Sequence, residues 1–283
     1  MYGPKKYEEL TFSDDFMFCK VLENHPDLCR KLLELALGRE VGELVSVNRQ
    51  KPIEILPDKK GVRFDIYSEG RGGKKIYDVE MQNHSRDILQ KRTRYSQAMI
   101  DLHLLERGKP YRDLGDTYII FICRFNVFEE EGLHRYTFSN LCHEKTSLEL
   151  GDGTEKIFLC TEGTADDISS EMEAFLKYVA EGIPGDIFTE ELDKAVKEAR
   201  DHVRWRQEYM TLLEQLEIER EEGRKEERVN TEREKRRADE AEKRAEAAEE
   251  RADAAKERAD ALEEKYRRLL ERMEQMHSEK DLT

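Results

Sequence analysis

Hydrophobic and polar positions change period several times along the chain, and the changes mark elements. Phe16, Phe18, Val21 and Leu22 follow Ser13, a residue suited to cap a helix start. Leu28, Leu32, Leu33 and Leu35 continue in helical spacing to Gly38, a typical helix stop. The period then shortens to two over Val62 to Ser68 and Lys75 to Asn83, and the glycine-rich Glu69-Gly70-Arg71-Gly72-Gly73 between them predicts a hairpin. From Arg86 to Arg107, Ile88, Leu89, Tyr95, Met99, Leu102 and Leu105 predict a helix stopped by Gly108 and Pro110, with Tyr95 expected in the core. Thr117 to Arg124 is uniformly apolar, as in a central strand covered on both faces. Leu133 to Leu141 and Lys156 to Thr161 predict further strands around a Gly151-Asp152-Gly153 turn, and Asp166 to Ala180 and Phe188 to about Trp205 predict helices.

This order gives a mixed sheet of about five or six strands flanked by helices, an α/β or α+β domain. The remainder is a different material. The 283 residues divide into an apolar-rich domain over 1–205, a charged helical linker over 206–236 and a heptad tail over 237–283. The tail is almost entirely Glu, Arg, Lys, Asp and Ala and cannot form a globular core.

Charge restricts the function classes. The net charge is −15, and with 25 acidic and 19 basic side chains in 206–283, residues 1–205 carry −9. A general nucleic-acid sponge is excluded, because non-specific affinity comes from Lys and Arg neutralising phosphates, and any DNA contact needs a local basic patch. The five scattered cysteines lack zinc or disulfide spacing and read as reduced thiols. No stretch has the eighteen or so apolar residues of a membrane span and the N-terminus has no apolar signal, so the expected location is the cytoplasm. The histidines form no HExxH, and Gly70-Arg71-Gly72-Gly73 is neither a Walker loop nor a dinucleotide fingerprint.

In the hairpin, alternation puts Arg63, Asp65 and Tyr67 on one face and Val62, Phe64 and Ile66 on the other. The next strand puts Asp78, Glu80 and Gln82 opposite Tyr77, Val79 and Met81, and the apolar sets are expected in the core. Asp65 and Glu80, with the Met81 carbonyl, could ligate a hard cation such as Mg²⁺, which favours oxygen donors. Such an ion polarises a phosphate and helps deprotonate a water that Gln82 could orient. The same acids would equally serve as solvated positions on an exposed sheet face.

These segments resemble, in order, the core motifs of the PD-(D/E)XK nuclease family transposases, also called recombination-promoting nucleases. The matching blocks are Gly61-Val62-Arg63-Phe64-Asp65-Ile66-Tyr67, Tyr77-Asp78-Val79-Glu80-Met81-Gln82 and Lys91-Arg92-Thr93-Arg94-Tyr95-Ser96. Asp14-Asp15-Phe16-Met17-Phe18-Cys19-Lys20-Val21 resembles the family's first helix, and later blocks extend the similarity over about residues 10–225. The resemblance implies a restriction-endonuclease-like fold and a DNA endonuclease using Mg²⁺ or Mn²⁺, linked to recombination or mobile elements. Asp65 and Glu80 would be the motif acids, Gln82 would stand where Lys is usual, and Asp15, or its neighbour Asp14, would add an acid. A neutral amide positions a water but lacks the charge of an ammonium, so a catalytically weak or inactive scaffold is the alternative. Lys91, Arg92 and Arg94 are the candidates for phosphate contacts, or else for surface ion pairs with Asp87 or other acids.

The tail repeats every seven residues from Arg237. Ala238, Ala245, Ala252, Ala259, Tyr266 and Met273 fall at position a, and Ala241, Ala248, Ala255, Leu262, Leu269 and Met276 at d. In a parallel pair Arg237 meets Glu242, Arg244 meets Glu249 and Arg258 meets Glu263, against one repulsive pair, Arg251 with Lys256. An antiparallel pair would oppose Arg with Arg. The expectation is a parallel homodimer, or otherwise a solitary charged helix.

Overall fold

The computed structural model describes residues 5–53, 61–72, 74–84, 88–128 and 131–280, with side chains to 271. Helix α1 (Asp15–Asn24) starts one residue later than expected, with Asp14 rather than Ser13 at the cap position. Ser13 is buried, and its hydroxyl lies 3.1 Å from that of Thr11. Helix α2 (Pro26–Leu37) begins on proline and ends at Gly38, whose φ of 65° is the left-handed conformation that glycine adopts without a Cβ penalty.

Strands β1 (Leu44–Ile53), β2 (Val62–Gly70) and β3 (Lys75–Gln82) form an antiparallel meander. β4 (Asp116–Cys123) and β6 (Thr154–Cys160) continue it in parallel, and β5 (Arg135–Phe138) closes the far edge antiparallel to β6. The order β1-β2-β3-β4-β6-β5 puts β4 in the interior, where every residue after Asp116 is buried. Phe121 and Phe158 stack there at 5.6 Å between centroids.

Helix α3 (Leu89–Leu104) buries Leu89, Thr93, Ser96 and Ile100, at spacings of four, three and four. Tyr95 is therefore not core: it is 39% exposed, and Ile88 and Leu102 also face outward. Of the apolar residues that predicted the helix, Leu89 and Met99 are buried and Ile88, Tyr95 and Leu102 are not; Thr93, Ser96, Gln97 and Ile100 complete the inner face.

Both faces of the hairpin are covered over Ile66–Ser68 and Ile76–Met81, which removes the alternative of solvated acids on an exposed sheet face. Tyr67 packs with Met99 and Ile100 of α3, while neighbouring Ser68 meets Cys29 of α2, Sγ to Oγ 3.7 Å. Asp78 and Glu80 are consequently buried, at 0% and 1% exposure. Nor does strict alternation hold along β2, because Phe64 joins Tyr67 in the cluster under α3, with centroids 5.9 Å apart. The β2–β3 ladder runs from Glu69↔Ile76 to Ile66↔Val79 and stops there.

Helix α4 (Ser170–Glu181) starts where the Ser169 hydroxyl accepts the Met172 N–H at 3.3 Å, four residues later than expected. The helix expected over 188–205 is two: α5 (Ile187–Asp201) ends at His202, and α6 (Val203–Lys280) follows. The chain divides into two compact units, Met1–Leu212 and Leu213–Thr283. Within the first unit, Glu208 on the opening turns of α6 pairs with Lys20 at 2.5 Å and Arg49 at 3.3 Å, and Tyr209 donates to the Lys5 carbonyl at 2.9 Å. The second unit is helical from Leu213, which is half-buried, and its residues from Glu214 to Glu271 are exposed.

Candidate active site

Where the β2–β3 ladder ends, side chains take over the pairing. The Asp65 N–H donates to Glu80 Oε1 at 3.3 Å, and the Met81 N–H donates to Asp65 Oδ2 at 3.1 Å. Each carboxylate thus satisfies a backbone donor of the opposite strand, which fixes both acids and parts the strands. The resulting cleft of about 510 Å³ is lined by Asp15, Arg63, Asp65, Gln82, His84 and Arg92, together with Met81 and Asn83.

Four elements deliver these groups, the two strands of the hairpin and two helices. Helix α1 brings Asp15, and the Cys19 thiol, one turn on, donates to the Asp65 carbonyl at 3.4 Å. Asp14 is turned elsewhere: its carboxylate accepts from Lys5 Nζ at 2.8 Å and from the Thr11 N–H at 2.8 Å. Asn83 ties the end of β3 to the start of α1 by donating to the Ser13 carbonyl at 2.7 Å. Helix α3 brings Arg92, whose guanidinium pairs with Glu80 Oε2 and lies 5.5 Å from the Phe121 ring centroid. Gln82 also reaches Glu80 Oε2, at 3.5 Å.

The electrostatics follow from this burial. Desolvation first, then the charges of Glu80 and Asp15, hold the Asp65 carboxyl well above the usual Asp range. Burial likewise raises Glu80, with Arg92 as the largest opposing influence. Burial and Asp14 raise Asp15. Asp78, beneath the site, is raised by burial, Glu80 and Asp65. Several acids this close repel one another, and a cation relieves that repulsion. The donors are oxygens, the kind that Mg²⁺ and Mn²⁺ accept, although both Glu80 oxygens are already engaged. Among the described residues, no group of three or more His, Cys, Asp or Glu is arranged to hold a metal.

Of the residues singled out in the sequence, Asp15, Asp65, Met81, Gln82 and Arg92 line the cleft, while Glu80 lies under it. Lys91 lines an adjoining groove and Arg94 lines neither. Arg92 does form an ion pair, but with a buried acid; Asp87, its suggested surface partner, lies outside the described residues. Arg63, Asn83 and His84 were not singled out. Arg63 shares the alternating set of Asp65, a signal that was present; Asn83 and His84 follow the strand end and carry none.

A six-stranded mixed sheet with flanking helices, opened at a hairpin that carries paired acids, is the architecture of restriction-endonuclease-like proteins. The family model described as PD-(D/E)XK nuclease family transposase matches residues 13–174, more than half of the chain, and the chain belongs to that family. No curated protein and no solved structure matches it.

Proposed function

We propose that this protein is a Mg²⁺- or Mn²⁺-dependent endonuclease that hydrolyses DNA phosphodiesters. The observation that carries the reading is the reciprocal bonding of Asp65 and Glu80 across the ladder end, beside a cleft that also holds Asp15 and Gln82. Asp65, Glu80 and the Met81 carbonyl would hold the ion, which when bound supplies Lewis-acid stabilisation of the phosphate and lowers the pKa of water. Gln82 orients the attacking water through its amide. The positive charge that a motif lysine would bring comes from α3 instead, as Arg92, which loosens from Glu80 as substrate and ion enter.

Supercoiled plasmid incubated with the full chain and Mg²⁺ or Mn²⁺ tests this. Nicking is expected, with a loss of at least about a hundredfold in Asp65→Ala and Glu80→Ala. No cleavage under any divalent ion would favour a nuclease-fold scaffold, and cleavage surviving both substitutions would come from a contaminant. The role in recombination or mobile-element biology rests on the family resemblance. A cytoplasmic setting is supported by five free cysteines and by the absence, among the described residues, of a helix long and apolar enough to cross a membrane.

For assembly, the heptads of α6 support a parallel homodimer. Leu262, Tyr266 and Leu269 are 61%, 66% and 50% exposed on a single helix, which is costly unless a second copy covers them. In solution the full chain should have twice its own chain mass of 33.4 kDa, and a chain lacking residues 230–283 only once its own. A monomer in both forms would end the dimer reading.

A further inference from the structure

Beside the acidic cleft, and sharing Arg63 and Arg92 with it, lies a second, half-open groove of about 600 Å³. One wall is the start of β2, with Val62 and Arg63; the other is the outward face of α3. On that face Ile88, Lys91, Arg92 and Tyr95 stand at i, i+3, i+4 and i+7, which makes a single stripe along the helix. The stripe is apolar and aromatic at its two ends and cationic between them.

We infer that this groove receives an unpaired nucleobase of the DNA strand whose phosphate lies at Asp65, so that the preferred substrate is single-stranded or locally unpaired DNA rather than continuous duplex. The inference rests on the hydrolase reading for its strand, but the groove makes its own case. Its volume is that of a small-molecule pocket, room for one or two nucleosides and too little for a duplex. Its chemistry suits a nucleotide twice over, since an aromatic ring with aliphatic neighbours offers a stacking platform and Arg63 and Lys91 match phosphate oxygens. An acidic peptide would satisfy the cations and make no use of the apolar surface of Ile88, 61% exposed. A paired base shows its faces only to its stacking neighbours and cannot reach the groove. Finally, a domain carrying −9 gains little from general phosphate attraction, so stacking is the way left to gain affinity.

The test is binding, measured by fluorescence anisotropy on the full chain in a chelating buffer so that nothing is cut. The probes are a short labelled single strand and the blunt duplex of the same sequence. Wild type should bind the single strand more tightly. Tyr95→Ala should weaken the single strand roughly 5- to 100-fold, leaving the duplex within about twofold, and Tyr95→Phe should retain wild-type binding. Ile88→Ser, a neutral change at a solvent-facing position, should show the same selective loss and guards against misfolding of the first variant. Equal affinity of wild type for both forms, binding of neither, or equal weakening of both by Tyr95→Ala would overturn the inference. The two readings fail separately. Selective single-strand binding without any metal-dependent cleavage leaves the groove and removes the hydrolase, whereas cleavage with no Tyr95 dependence of binding does the reverse.

Discussion

Two regions meet along α3 and treat charge in opposite ways. Beneath the cleft lies a floor of acids, Asp65, Asp78 and Glu80, largely or wholly withdrawn from water; burial pushes all three carboxyls up, Glu80 adds to the rise at Asp65 and Asp78, and Arg92 opposes it at Glu80. Around it stand cations, Arg63 and Lys91 at the cleft and groove and Arg94 elsewhere on α3, a wall that stays exposed and makes no ion pair among the described residues. Charge in a dry interior is tolerated only with partners, whereas charge at a surface costs little and remains available to a ligand. Arg92 belongs to both regions, its guanidinium on Glu80 and a third of its side chain still in solvent.

The largest effect on stability is therefore expected at Arg92. Arg92→Ala leaves Glu80 buried beside other acids with its main counter-charge gone, and removal of one partner of a buried pair costs about 3 kcal/mol or more. Urea denaturation without metal should show that loss, and Glu80→Gln in the same background should restore most of it. A cycle over the two sites that closes with less than about 0.5 kcal/mol of coupling would mean that the floor does not depend on its counter-ion.

Asp78 sharpens the comparison from below. It is fully buried, and neither carboxyl oxygen has a hydrogen-bond donor among the described residues. Its pKa is higher folded than unfolded, so the folded chain binds the proton more tightly. Its contribution to stability is complete below the ordinary Asp value of about 3.9 and is lost as pH rises through the raised folded value. Metal-free wild type should thus lose stability on going from about pH 5 to about pH 8. Asp78→Asn should lose less, leaving it roughly 1–3 kcal/mol better placed at the upper end and little changed at the lower. Parallel pH profiles for the two proteins would show that Asp78 already has a partner.

How much of this could be read in advance depended on whether the signal was local. The tail heptads and the motif blocks around Asp65 and Glu80 are contiguous, and they were legible. β1 was not: Arg49, Gln50, Lys51 and Pro52 break any alternation on an edge strand that is mostly half-exposed, and Gln50 takes a φ of 47°. The burial of Asp78 depends on α3 closing one face of the hairpin, a contact between segments that composition does not announce. The Arg92–Glu80 pair joins a helix to a strand across a turn, so the cation was visible and its partner was not. Tyr95 misled because Thr93, Ser96 and Gln97 share the buried side of its helix with Leu89, Met99 and Ile100, so polarity did not mark the exposed side.

The smallest effect belongs to the wall, and it decides whether the division between the two regions is real. Lys91→Ala and Arg94→Ala remove exposed charges, so each should change stability by no more than about 0.5 kcal/mol. Their cost should appear with DNA instead. Each should weaken single strand and duplex alike, and a cation that touches a phosphate should lower the slope of log affinity against log salt by about one. Lys91, which lines the groove, should show the slope change more fully than Arg94, which does not. Should either substitution instead cost as much stability as Arg92→Ala while leaving the salt slope intact, the wall would be serving the fold as the floor does. The cations would then be structural partners, and none of them would be free to meet a strand.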